Sequence, residues 1–166
     1  MSGRLPEFID PREWARTGRQ QTGSLSLARL PRLGACLENP TGTATVMLAG
    51  DVLPGGGPAL TGQASCTVTV RCQRCLEPFE LTLRASVRLG VVRSEEAGQH
   101  LPDDVAPLIC TEGQEVAVAD VIEDELLLAL PDYPYHADGQ CQAADVPAAP
   151  TAKRQPFAAL RALKSK

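Results

Sequence analysis

The chain has 166 residues, 43 % of them apolar, and a net charge of −4. That supplies enough apolar material for one domain with its own core and excludes wholesale disorder. No run approaches the roughly 20 apolar residues that span a bilayer, and Met1 to Asp10 lacks a charged-then-apolar leader, so a cytoplasmic protein with no membrane partner is expected.

In that compartment the six cysteines, Cys36, Cys66, Cys72, Cys75, Cys110 and Cys141, are expected to stay reduced, so metal binding or thiol chemistry must explain any cluster among them. The charge is segregated along the chain. Ser94 to Asp145 holds 13 Asp or Glu and no Lys or Arg, whereas Val146 to Lys166 holds five basic residues and no acid. Such asymmetry steers partners even at modest net charge, although charge runs also serve simply to keep a surface wet.

In chain order, "IDPREWARTG" predicts a short helix to about Gln20, with Asp10 as N-cap, Pro11 at the first helical position and Glu13 completing a capping box. Gly23 is expected to break it. Ser24–Leu30 and Thr43–Leu53 then read as strands, followed by a Gly/Pro loop at Pro54–Pro58. The clearest periodicity comes next. Cys66, Val68, Val70 and Cys72 alternate with Ser65, Thr67, Thr69 and Arg71. Phe79, Leu81, Leu83, Ala85, Val87 and Leu89 alternate with Glu80, Thr82, Arg84, Ser86 and Arg88. Two half-buried strands joined by the short "QRCLEP" connection make an antiparallel hairpin, with Cys72 ending one strand and Cys75 in the loop. Its polar face carries Arg71, Arg84 and Arg88, and its loop Arg74.

After an acidic loop, Val118, Val121, Ile122, Leu126 and Leu130 fall at helical spacing up to Pro131, which predicts a core-facing helix with Glu123, Asp124 and Glu125 on its wet side. Those acids are expected to serve solubility rather than acid–base catalysis. "YPYHADGQC" follows directly, ending at Cys141. A Pro-punctuated linker then leads to "QPFAALRALKSK", a short amphipathic helix with Phe157, Leu160 and Leu163 apolar and Arg161, Lys164 and Lys166 basic. The expected division is a single α+β domain over residues 1–145 and a linker with a basic, partner-binding segment over 146–166. The domain is expected to contain an antiparallel sheet or partly closed barrel.

A tetrahedral zinc site needs two ligand pairs that reach one metal. Cys72-x-x-Cys75 offers one pair and His136 with Cys141 the other, in which case their ligand atoms must converge to about 4 Å. Cysteine is also a small buried residue, and Cys66 and Cys72 share an apolar strand face. A redox pair normally sits at a helix N-terminus in a βαβ setting, whereas this one lies between strands. A structural zinc ion, inert packing cysteines, and redox or catalytic thiols are thus the three open readings.

Taken together, "LPEFIDPREWAR", "CQRCLEPF", "VIEDELLLALPDYPYH" with Cys141, and "QPFAALRALK" resemble the YceD family, the large ribosomal RNA subunit accumulation proteins of bacteria and plastids. The order and spacing of the four blocks, rather than any one of them, carry the resemblance. It implies a non-enzymatic factor in the synthesis, processing or stability of 23S ribosomal RNA, and so in large-subunit assembly, with motif cysteines at Cys72 and Cys75 and a later pair at His136 and Cys141. One departure is Ala117, where relatives often carry Asp, which leaves the following helix weakly capped.

The implied partners are ribosomal RNA and/or a large-subunit ribosomal protein, with no small-molecule substrate. Few aromatics are present for stacking on exposed bases. Arg71, Arg74, Arg84 and Arg88 with the tail residues Phe157, Leu160, Arg161 and Lys164 are the candidate contacts, the arginines for phosphate, and the acidic segment suits a basic protein. A zinc- or thiol-dependent enzyme is the alternative. No Gly-rich phosphate loop, nucleophile elbow or His-Glu-x-x-His helix supports it.

Overall fold

In a computed structural model of the protein, which describes residues 4–137, 140 and 141, the first helix begins where the sequence predicts it. The Asp10 carboxylate accepts the backbone N–H groups of Arg12 (2.9 Å) and Glu13 (3.1 Å) at the start of α1 (Pro11–Thr17). Pro11 occupies the first helical position, where its missing N–H leaves nothing unpaired. The helix ends short of Gln20, because Gly18 adopts a left-handed φ of +61° and its N–H closes on the Trp14 carbonyl. The linker and C-terminal helix expected over 146–166, with Phe157, Leu160, Arg161, Leu163 and Lys164, lie outside the described residues.

The chain then enters β2 (Gln20–Ser26), earlier than predicted, having already paired the short β1 (Phe8–Ile9) with β7 (Val116–Ala117). Gly23 does not break the chain; it lies inside β2 opposite Val46. The predicted strand fails at its other end, where Leu27–Arg29 form a 3₁₀ turn and Pro31–Gly34 the one-turn α2. Leu27, Leu30 and Leu33 recur every third residue, so a tight helical winding buries all three almost completely, which alternation in a strand would not.

β3 (Thr43–Val52), β4 (Pro58–Arg71) and β5 (Pro78–Val92) form an antiparallel meander with β2, and β6 (Ala106–Ile109) adds parallel to β5 after a crossover containing α3 (Glu95–Gly98). Among the described residues the order β2-β3-β4-β5-β6 does not return to β2, so the sheet is open rather than a partly closed barrel. Helices, not a second sheet, cover the inner face: α1 lies on β3 and β4, and α4 (Val118–Ala129) on β5 and β4. Between them Val46, Leu48, Leu60, Val68, Leu83, Val87, Ile122 and Leu126 make the core. Close approach of α1 depends on Gly50, where a Cβ would collide with the Trp14 carbonyl. The outer face of the sheet is polar and largely open.

The core-facing helix is α4, ended by the residue before Pro131 as expected. Ala117 offers no side-chain cap, and the Val118 N–H instead donates to the Glu7 carbonyl (3.0 Å). One expectation is corrected here. Glu123 is not on the wet side; it is 2 % exposed. Its Oε1 accepts the backbone N–H groups of Arg32 (2.7 Å) and Leu33 (3.0 Å), and its Oε2 accepts Arg32 Nε (2.8 Å). Glu123 therefore caps α2 from across the core, because the residue in the N-cap position, Leu30, has no polar side chain to do so. None of the described helices is long and apolar enough to cross a membrane.

Candidate functional site

The alternation along β4 turns Val68, Val70 and Cys72 inward, and the hairpin reverses just beyond it. The Cys72 N–H donates to the Glu77 carbonyl (3.0 Å) and the Leu76 N–H to the Cys72 carbonyl (2.9 Å). Leu76 sits in the left-handed region at φ +65°, a conformation that disfavours a branched side chain and is tolerated here where the turn curls its amides around the sulfurs. From the other direction, Pro131 ends α4 and sends the chain back along the hairpin. The Gln73 N–H donates to the Pro134 carbonyl (2.9 Å), and the His136 ring packs on Phe79 with centroids 4.6 Å apart.

These contacts bring together all four sequence-predicted ligand residues. Cys72 Sγ lies 3.8 Å from Cys141 Sγ, Cys75 Sγ lies 3.4 Å from His136 Nδ1, and the ligand atoms of the four residues fall within 4.8 Å of one another. The outer limit is somewhat wider than the 4 Å expected. A tetrahedral ion with zinc–sulfur bonds of about 2.3 Å has sulfur–sulfur edges of about 3.8 Å, and sulfur–nitrogen edges slightly shorter. A disulfide, by contrast, needs its sulfurs about 2.05 Å apart. The set can hold a metal ion.

Electrostatics at the turn favour thiolate at Cys72 and disfavour it at Cys75. Burial pushes the Cys72 thiol up, but the backbone N–H groups of Cys75, His136 and Arg74 and the His136 ring outweigh it and bring it down to about 5. At Cys75 the Glu77 N–H acts downward, while burial and the sulfurs of Cys141 and Cys72 leave it raised. A pair of sulfurs that resist simultaneous ionisation is what a cation between them would relieve. The remaining cysteines stand apart from this group. Cys66 is buried on the inner face and Cys110 is buried with its thiol directed at the Gln114 carbonyl (3.3 Å); burial raises both thiols. Cys36 is exposed.

The candidate arginines do not form one site. Arg71 makes a two-point bond to Glu38, Nε to Oε1 at 2.7 Å and Nη2 to Oε2 at 3.0 Å, which lowers the Glu38 carboxyl and raises the arginine. Arg88 pairs with Asp104 at 2.7 Å. Arg74 is exposed on the cysteine turn. Arg84 lies mid-strand on the open sheet face, opposite Ser65. Sequence reasoning missed Glu38, which has no local signal linking it to Arg71. It also missed that Phe79 supports the His136 ring; the only hint was its position at the end of the cysteine motif.

Comparison with known proteins bears on the family of the chain. The family model described as large ribosomal RNA subunit accumulation protein YceD matches residues 60–164, a span that includes all four candidate ligand residues. The large ribosomal RNA subunit accumulation protein YceD of Haemophilus influenzae is 30 % identical over 170 residues, covering 98 % of each chain. No solved structure matches the chain. A family match over most of the chain, together with a relative that spans nearly its whole length, shows that the chain belongs to the YceD family.

Proposed function

We propose that the protein is a non-enzymatic binding factor for the synthesis, processing or stability of 23S ribosomal RNA, acting in the cytoplasm during large-subunit assembly. The observation that carries this is the likeness, over 98 % of both chains, to a protein named for large ribosomal RNA subunit accumulation. Its partners are ribosomal RNA and/or a large-subunit ribosomal protein. Arg71, Arg74, Arg84 and Arg88 with the tail residues Phe157, Leu160, Arg161 and Lys164 are the proposed contacts; at Arg71 and Arg88 an RNA phosphate would compete with Glu38 and Asp104. Residues 1–145 act as the folded domain and 146–166 as the partner-binding segment.

Within this function the Cys72, Cys75, His136 and Cys141 set holds one structural zinc ion, which ties the segment after α4 to the end of the hairpin. Three sulfurs and one imidazole are a donor set suited to zinc, and a closed set of protein ligands leaves no open position for substrate. The second reading is a thiol enzyme, favoured by the approach of Cys75 Sγ to His136 Nδ1. Metal analysis separates the two. The structural reading expects about one zinc per chain, with Cys75→Ser losing metal and thermal stability together. Metal-free protein of unchanged stability that loses a thiol-dependent activity on Cys75→Ser would establish the other.

Sucrose-gradient sedimentation of a cell lysate tests the function itself. The protein should run with precursors of the large subunit, and depleting it should lower 23S relative to 16S RNA. Sedimentation only at the top of the gradient, with an unchanged RNA ratio on depletion, would refute the proposal.

A further inference from the structure

The outer face of the sheet carries an open concavity of about 350 Å³, lined by Thr45, Met47, Gln63, Ser65, Arg84 and Ser86 together with backbone around Ala64 and Ala85. Strand register explains why these side chains meet. Thr45 lies opposite Ser65 and Ser65 opposite Arg84, which makes one row across β3, β4 and β5; Met47, Gln63 and Ser86 make the next. Strands are about 4.8 Å apart, so each row spans about 10 Å. Two rows gather hydroxyls, a carboxamide and a guanidinium on one surface.

Charge singles out the same place. Gln20 to Val92 holds six arginines against four carboxylates, whereas Ser94 to Asp145 holds 13 carboxylates and no Lys or Arg. On the outer face Arg71 is taken by Glu38 and Arg88 by Asp104, but Arg84 has no carboxylate partner among the described residues. Thr82 and Ser86 flank it on β5 and Ser65 faces it across the ladder, so every nearest side chain is uncharged. β6 pairs with Leu89–Val92, so among the described residues no strand lies beside Arg84 on that side of β5.

We propose that this surface is an RNA-backbone contact site, in which Arg84 holds a phosphate while Thr45, Gln63, Ser65 and Ser86 bond to phosphate and ribose hydroxyl oxygens. Arginine with hydroxyl and amide side chains is the composition of sequence-independent backbone contacts. A protein partner would need apolar or aromatic anchors at the centre of its interface, and the concavity offers only Met47. The proposal rests on the ribosomal RNA function above and identifies which surface of the domain meets the RNA.

The test measures binding of the full chain to deproteinised 23S RNA by filter binding between 50 and 200 mM salt. Arg84→Gln should weaken binding about tenfold and reduce the log–log salt slope by roughly 0.7 to 0.9, the loss of one phosphate contact. Arg84→Lys should restore the slope. Arg16→Gln on α1, whose side chain is 73 % exposed, should change neither. Arg84 has no structural partner in the described residues, so Arg84→Gln should melt as the wild type does. Wild-type affinity and slope in Arg84→Gln would overturn the site while leaving the assembly function intact. Wild-type protein that runs with large-subunit precursors yet fails to bind bare 23S RNA would overturn it in favour of a ribosomal-protein partner. Absence from the precursor fractions altogether would instead remove the function on which the proposal rests.

Discussion

Glu123→Ala is the substitution whose effect follows most directly from the structure. The wild-type carboxylate accepts two backbone N–H groups at the first turn of α2 and the Arg32 Nε, all within 3.0 Å. Alanine leaves the Arg32 and Leu33 amides without that acceptor, and Leu33 is fully buried. Each orphaned buried amide costs about 1–3 kcal/mol. The Arg32 pair adds little more, because that guanidinium is 54 % exposed and keeps its 2.7 Å contact with Asp124. A loss of about 3–5 kcal/mol is expected, a large share of the roughly 5–15 kcal/mol that holds a domain together. At about 3 °C per kcal/mol for a domain of this size, Tm should fall by roughly 10 to 15 °C. Glu123→Gln, which keeps an acceptor oxygen for the amides, should lose only about 1–2 kcal/mol. Asp124→Asn, on the exposed helix face, should lose less than about 1 kcal/mol. Urea unfolding followed by far-UV circular dichroism gives the ranking. Glu123→Ala within about 1 kcal/mol of wild type would show that water replaces the carboxylate and that the remote cap is dispensable.

Chelation by a strong zinc chelator should lower Tm of the wild type but not of Cys75→Ser, since a ligand at 1,000 times its Kd stabilises the folded state by about 4 kcal/mol; Cys36→Ser, at an exposed cysteine outside the set, should behave as wild type. Equal chelator sensitivity in Cys75→Ser would exclude that residue as a ligand. Gly50→Ala should destabilise the domain by more than about 2 kcal/mol, because the new Cβ must displace α1 from β3, and a variant with an unchanged urea midpoint would contradict the close packing of that pair. The Glu38 carboxyl is held below its ordinary value by the hydrogen bonds from Arg71. A depressed folded-state value contributes stability that is present above the unfolded value and lost as pH falls through the folded one. The difference in urea midpoint between wild type and Arg71→Gln should accordingly shrink on acidification from about pH 6 to below 4; a constant difference over that range would show that the pair contributes nothing to folding.

Local chemistry made much of the fold legible in the sequence. Asp10 and Pro11 start a helix, alternation in Ser65–Cys72 and Phe79–Leu89 makes a hairpin, and Pro131 stops α4, because each depends on neighbours within a few positions. The residue types at Cys72, Cys75, His136 and Cys141 likewise announced a possible metal set, yet spacing alone left packing and redox readings open. Only tertiary structure decided that the His136–Cys141 segment returns to the hairpin, since the Gln73–Pro134 bond and the Phe79–His136 contact join positions about 60 residues apart. The same limit explains the errors. Glu123 sits at a helical position that periodicity assigns to water, and its burial depends on two amides 90 and 91 residues away. Leu25 and Leu27 alternate as in a strand, but Leu27, Leu30 and Leu33 fit helical turns once Leu33 packs beneath α4. Sequence patterns encode which residues want burial or a partner; which distant group meets that demand is settled by the packing of the whole chain.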